Sequence, residues 1–189
     1  RENENLKYQL RSDLMSTTVA TIWLEIRSKE NKKFSIGGCY REWTKDGEST
    51  IQSQVHRMET ITDQISRACS ESERVVVIGD MNLCMTRWED KTYRNKAVVE
   101  VLQSSLTLNK MSKADFGLTY FSDHATSTGE YVDSALDHAY FSEKCQITEV
   151  KTLDNGSSDH SPIVIHLEMR GARPTVFTRH IYKRSFKRF

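Results

Sequence analysis

The 189-residue sequence holds only two prolines and eight glycines, too few for a collagen-like repeat or a linker array. No apolar run approaches the length that crosses a bilayer, and no signal-like apolar region opens the chain. The four cysteines, Cys39, Cys69, Cys84 and Cys145, form no CxxC pair, and at this density they read as reduced thiols of an intracellular protein rather than a disulfide framework. There is no internal repeat and no low-complexity segment. The first residue is Arg1 rather than Met, which leaves room for sequence upstream.

What is present is enough for a core. Hydrophobic residues make up 37% and charged residues 28%, so wholesale disorder is excluded. The formal net charge of +1 hides an asymmetry. All 26 acidic residues and 20 of the 27 basic ones lie in residues 1–169, a net of −6, while Arg170, Arg173, Arg179, Lys183, Arg184, Lys187 and Arg188 follow the last acid, Glu168. An acidic folded body joined to a basic segment is the simplest account. The boundary falls near Arg173-Pro174, giving a domain over 1–170 and a tail over 171–189.

Residues 1–18 are polar and weakly patterned, a frayed start or a strand cut loose from its context. Alternation then predicts a strand over 22–27, with Ile22, Leu24 and Ile26 on one face, and a hairpin partner over 34–40 in which Gly37 and Gly38 permit close backbone approach. Ile51, Val55, Met58, Ile65 and Cys69 keep the 3.6-residue period of a helix over 49–70, with Ser49 and Gln52 as its capping box. The β-branched run 74–78 predicts a strand buried on both faces. A second helix is expected over 93–108, and strands over 118–122, 135–142, 146–153 and 162–167. The order β-β-α-β-α-β-β-β-β points to an α/β layered sandwich with mixed sheets.

Three clusters sit near strand edges. Gly79-Asp80-Met81-Asn82 places a carboxylate and a carboxamide just past a buried strand, where α/β sheets hold ligands; alone it reads better as a turn. In Ser134-Ala135-Leu136-Asp137-His138, an acid inside an apolar strand needs a partner, either a histidine that it orients or a surface salt bridge. Ser157-Ser158-Asp159-His160-Ser161-Pro162 offers an imidazole suited to proton transfer near neutral pH, or a solvated loop. Asn155-Gly156-Ser157 matches a glycosylation acceptor but reads better as a turn. Together the three clusters can build a metal-dependent phosphoester hydrolase: carboxylates hold a hard cation, and amide and imidazole donors grip phosphoryl oxygens.

The ordered set GDMN, SALDH and SSDHSP resembles the endonuclease/exonuclease/phosphatase superfamily, the fold of DNase I. The segments Ile36-Gly37-Gly38-Cys39-Tyr40-Arg41, Asp80-Met81-Asn82-Leu83 with Trp88, and Leu118-Thr119-Tyr120-Phe121-Ser122 are similar to the endonuclease domain of non-LTR (LINE-type) retrotransposons. The tail RHIYKRSFKRF resembles the segment leading from that domain toward a reverse transcriptase. The resemblance implies a DNase I-like α/β sandwich, Mg²⁺ with Mn²⁺ as an alternative, a DNA substrate, no membrane, and by inference from DNA a nuclear location. It implies that Asp80 orients or deprotonates the attacking water, Asn82 holds the scissile phosphate, His160 donates to the phosphoryl oxygen, Asp137 orients His160, and Tyr40 contacts phosphate. Asp80, Asn82 and Asp159 would serve the metal, and Thr119, Ser134 and Ser158 would contact DNA or phosphate. His138 matches the pattern too, but strand alternation turns it away from Asp137 toward a structural role.

In that family an early Asn and a metal-ligand Glu precede the hairpin. The 21 residues before Ile22 hold Glu2, Glu4, Asn3 and Asn5 in a polar run with no strand ahead of them, so the chain is expected to cover roughly the C-terminal two-thirds of the domain and to be incomplete at its N-terminus. Three functions follow: a DNA-nicking endonuclease, a catalytically dead retroelement remnant that at most binds nucleic acid, or a superfamily member acting on a phospholipid or inositol phosphate.

Overall fold

The computed structural model describes residues 6–28, 32–44, 46–122, 133–154 and 158–168. The basic tail, Glu2 to Asn5 and the Asn155-Gly156-Ser157 turn lie outside them.

Six strands, β1 (Leu6–Leu10), β2 (Ala20–Ser28), β3 (Lys33–Tyr40), β4 (Val75–Asp80), β5 (Met111–Lys113) and β6 (Asp137–Ser142), form a mixed sheet in the order β1-β2-β3-β4-β6-β5. The β3–β4 pair is parallel and the rest are antiparallel. The parallel pair is joined through α1 (Ile51–Glu71), as a parallel connection requires. Against α1 packs α2 (Lys96–Leu108). Both helices cover one face of the sheet, burying Trp23, Val75 and Val77 with Met58, Ile61, Ile65, Val98 and Leu102. On the other face a separate hairpin, β7 (Gln146–Thr152) with β8 (Ile163–Glu168), closes a smaller cluster of Phe34, Val76 and Cys145, against which Leu167 packs. The result is the layered, mixed α/β architecture expected from the element order.

Several boundaries differ from the sequence reading for identifiable reasons. The polar start contains β1, held by a buried ion network instead of apolar alternation. Arg11 reaches Glu25 at 3.1 Å, Asp13 at 2.7 Å and Glu71 at 2.7 Å, while Lys33 and Arg27 also bind Glu25. Burial pushes the Glu25 carboxyl up, but the Lys33 and Arg27 contacts outweigh it and hold it low. The cap of α1 is Thr50, whose side chain accepts the Ser53 N–H, and not Ser49. Strand β6 starts at Asp137 because the Ala135 and Leu136 carbonyls are taken by the Met85 and Met81 N–H groups. Helix α2 starts at Lys96, since the Tyr93 hydroxyl is turned back to accept the Cys84 N–H. The segment 118–122 is no strand; Tyr120 makes isolated bridges to Ser134 and His160.

Candidate active site

The C-terminal ends of β3 and β4 and the start of β6 meet at one corner of the sheet. Tyr40 lies beside Asp80 in the parallel register, and Asp80 lies directly opposite Asp137 in the antiparallel one. Gly79 makes this corner possible. Its φ is +151°, and a Cβ there would stand 1.8 Å from the Cys39 carbonyl oxygen, so only glycine lets β3 and β4 come this close.

Past β4 the chain turns sharply. One Asp80 carboxylate oxygen accepts the Asn82 N–H at 2.7 Å, and Asn82 sits at φ +48°, a left-handed position that Asn tolerates better than most residues. Burial raises the Asp80 pKa; the Asn82 N–H opposes it, and the Asp137 charge adds to it. Behind the turn lies Arg41, fully buried. Its guanidinium donates to the Met81 carbonyl at 2.5 Å, to the Asn82 carbonyl at 2.8 Å, and to the Gln54 side-chain oxygen. In return the Asn82 carboxamide donates to the Arg41 carbonyl at 2.9 Å. Burial pulls the Arg41 pKa down to about 10, so it remains a cation at neutral pH.

His160 arrives from the far side. Its Nδ1 is 2.8 Å from the Asp137 carboxylate, and its ring meets Tyr120 edge-on at 5.1 Å. Burial lowers the His160 pKa, but the hydrogen bond and charge of Asp137, with Asp80 and Asp159 beyond, outweigh it and raise it. Backbone bonds tie the loop to the 118–122 segment: Phe121 N–H donates to the Asp159 carbonyl and Ser161 N–H to the Thr119 carbonyl.

Residues from four distant stretches thus share one corner: Tyr40, the 80–82 turn, Asp137 and His160. Tyr40 is 48% exposed there. Asp159 and Ser158 are exposed neighbours, the Ser158 hydroxyl accepting the His160 N–H. Ser134 is half-buried and paired with Tyr120. Thr119 departs from expectation. It is fully buried, and its hydroxyl accepts the Leu136 and Asp137 N–H groups at 3.2 and 3.0 Å, so it braces Asp137 from within and presents nothing to a bound polyanion. His138 faces away from Asp137 into the core, as alternation implied.

A family model described as endonuclease-reverse transcriptase matches residues 36–164. The chain belongs to the endonuclease-reverse transcriptase family. Its matched span contains the whole corner, from Tyr40 to His160. No curated protein sequence matches the chain. Among solved structures, the endonuclease domain of TRAS1, a telomere-specific non-LTR retrotransposon, superposes with a TM-score of 0.66 at 19% identity, over 89% of this chain and 71% of that one. The 3′ phosphatase NExo from Neisseria, bound to product DNA hairpin, gives 0.59 at 11% identity, over 88% and 71%. The inositol polyphosphate 5-phosphatase domain of a synaptojanin, in complex with inositol (1,4)-bisphosphate and calcium ion, gives 0.55 at 14% identity, over 86% of this chain and 54% of that one. At these identities the likeness establishes the fold, the DNase I-like endonuclease/exonuclease/phosphatase fold.

In this member of the endonuclease-reverse transcriptase family, Arg41, Gln54 and Tyr120 are also parts of the corner, which their sequence motifs did not mark. Gln54 carried a signal, a polar residue on the apolar stripe between Ile51 and Met58. Among the described residues no group of three acidic, histidine or cysteine side chains stands close enough to hold a metal ion alone. The corner still offers hard oxygen donors, and Asp80 is crowded by the Asp137 charge in a partly desolvated place. Mg²⁺ characteristically takes one or two carboxylates and completes its shell with water and substrate phosphate, so this donor set fits such an ion.

Proposed function

We propose that the chain is a divalent-metal-dependent phosphodiesterase that nicks DNA, with residues 1–170 as the catalytic domain and 171–189 as a basic DNA-holding tail. The observation that carries this reading is the 2.8 Å pair of Asp137 and His160 beside the Asp80–Asn82 turn, within a chain of this family. The DNA-bound phosphatase and the retrotransposon endonuclease among its structural neighbours support DNA as the substrate. In the full-length protein a reverse transcriptase would use the nicked end as primer, which places the work in the nucleus.

A Mg²⁺ ion held by Asp80, Asn82 and Asp159 would neutralise charge developing on the phosphate and acidify a bound water. The protein's own steps are these. Asp80 orients the attacking water and takes its proton. Asn82 and Tyr40 hold the scissile phosphate in place. His160, kept protonated by Asp137, donates to the phosphoryl oxygen as charge builds, an effect commonly worth about 10² to 10⁴ in rate; the P–O bond to the leaving sugar oxygen breaks as the water oxygen bonds, and the leaving oxygen takes its proton from solvent. Ser134 and Ser158 line the approach of the strand.

The test is conversion of supercoiled plasmid to open circle in Mg²⁺, with EDTA, Asp80→Ala and His160→Ala as comparisons. Wild-type nicking that all three abolish or cut by at least about a hundredfold is expected. Nicking equal to that of Asp80→Ala would sink the enzyme reading and leave a nucleic-acid-binding remnant. Phosphate release from an inositol phosphate without nicking would replace DNA as the substrate.

A further inference from the structure

We propose that Arg41 is a positioning residue that sets the placement of Asn82, and through it the geometry of phosphate attack. This inference deepens the nicking reading and rests on it.

A guanidinium taken wholly out of water is expensive unless its donors are met. Arg41 is fully buried, and among the described residues no carboxylate accepts a hydrogen bond from it. Its fork is spent on the carbonyls of Met81 and Asn82 and on Gln54. The Arg41 N–H also donates to the Asp80 carbonyl at 2.9 Å. Three successive carbonyls, from Asp80 to Asn82, are therefore held by one residue. The exchange is reciprocal, since the Asn82 carboxamide donates back to the Arg41 carbonyl. That bond fixes which way the amide group faces.

The clamp has its own support. Gln54 on the first turn of α1 takes the guanidinium on its oxygen and gives its amide to the Trp43 carbonyl. Arg57 adds donations to the Trp43 and Glu48 carbonyls. The segment after β3 is thereby tied to α1, and Arg41 cannot drift without moving the helix start. Asn82 in turn occupies a left-handed φ of +48°, a conformation that persists only where the surroundings over-determine it. A planar fork holds two carbonyls and an amide oxygen in one fixed geometry, which the compact, rotating ammonium of a lysine does not reproduce.

A merely structural arginine would cost stability and leave the site's geometry alone. A positioning arginine predicts a split. In Arg41→Lys, turnover in plasmid nicking should fall about tenfold to a hundredfold, the size expected for a small misplacement of a reacting group. KM and DNA affinity in EDTA should stay within about twofold, since one displaced amide is a small part of the contact with a long duplex. Guanidinium ion added to Arg41→Ala should restore part of the lost turnover, while the same concentration of urea should not. A readout independent of activity is the NMR shift of the Asn82 carboxamide, which should move in Arg41→Lys while the Trp23 indole resonance stays. Gln54→Leu, which leaves the arginine in place, serves if neither variant folds, and should show the same direction of change. Wild-type turnover in Arg41→Lys, or an unmoved Asn82 resonance in a folded variant, would overturn the inference. Absence of nicking by the wild type would instead sink the nicking reading, with the Asn82 resonance still deciding the role of Arg41.

Discussion

His138 stands one residue from Asp137, yet its ring belongs to the fold. It is fully buried, with Nε2 2.7 Å from the Leu83 carbonyl, Nδ1 bonded to the Tyr140 hydroxyl, and an edge-on contact with Trp88. Burial pulls its pKa down to about 4. The unfolded chain, with an ordinary imidazole, therefore binds more protons than the native one between about pH 6.5 and 4. The native state has its full stability above that window and loses it as the pH falls through it, on the order of 3 kcal/mol in total. Urea unfolding at successive pH values should show this slope, and His138→Gln should lose about one proton's worth of it. Equal slopes in the two proteins would refute a buried neutral ring. Strand alternation in the sequence was enough to separate His138 from Asp137. Chemistry alone said only that Asp137 needs a partner; the family resemblance named His160, because nothing local to residue 160 says which strand it approaches. Gly79 illustrates the limit: its need for glycine comes from Cys39, forty residues away, so sequence alone offers only a turn.

Elements were legible in proportion to how far their own pattern carries their stability. Helix α1 spends a continuous stripe of Met58, Ile61, Ile65 and Ala68 on the core, so its period survives without context. Strand β1 buries little and is exposed over Lys7 to Leu10; pairing to β2 and the Arg11–Glu25 network hold it, and neither has a local signature. The three-residue β5 is too short to alternate at all. Cap position is a finer matter. Ser49 and Thr50 are both good caps, and only backbone geometry decides that the Thr50 side chain accepts the Ser53 N–H. Thr50→Ala should accordingly cost about 1 kcal/mol in denaturant unfolding, while Ser49→Ala should lie within about 0.5 kcal/mol of wild type. The reverse order would show that the helix begins one residue earlier.

At the scale of the whole molecule, the charge division governs how a polyanion could be held at all. Residues 1–169 carry a net of −6, and the described corner concentrates acids: Asp80, Asp137 and Asp159 all bear on His160. Such a surface repels phosphate at long range, within the screening length of the salt present. The sequence supplies the counterweight in one place, seven basic residues after Glu168. If that segment carries the electrostatic part of DNA binding, each phosphate it neutralises contributes about 0.9 to the slope of log affinity against log salt. Removing residues 171–189 deletes six of those seven cations, so the slope should flatten by up to about five, with the largest affinity loss at low salt. Nicking measured at saturating DNA should persist, because no residue of the corner lies in the deleted segment. Fluorescence anisotropy on a short duplex across a salt series, for the full and shortened chains, decides the matter. An unchanged slope would mean that the tail is a linker and that DNA is held by the acidic body through its bound cation and the corner itself.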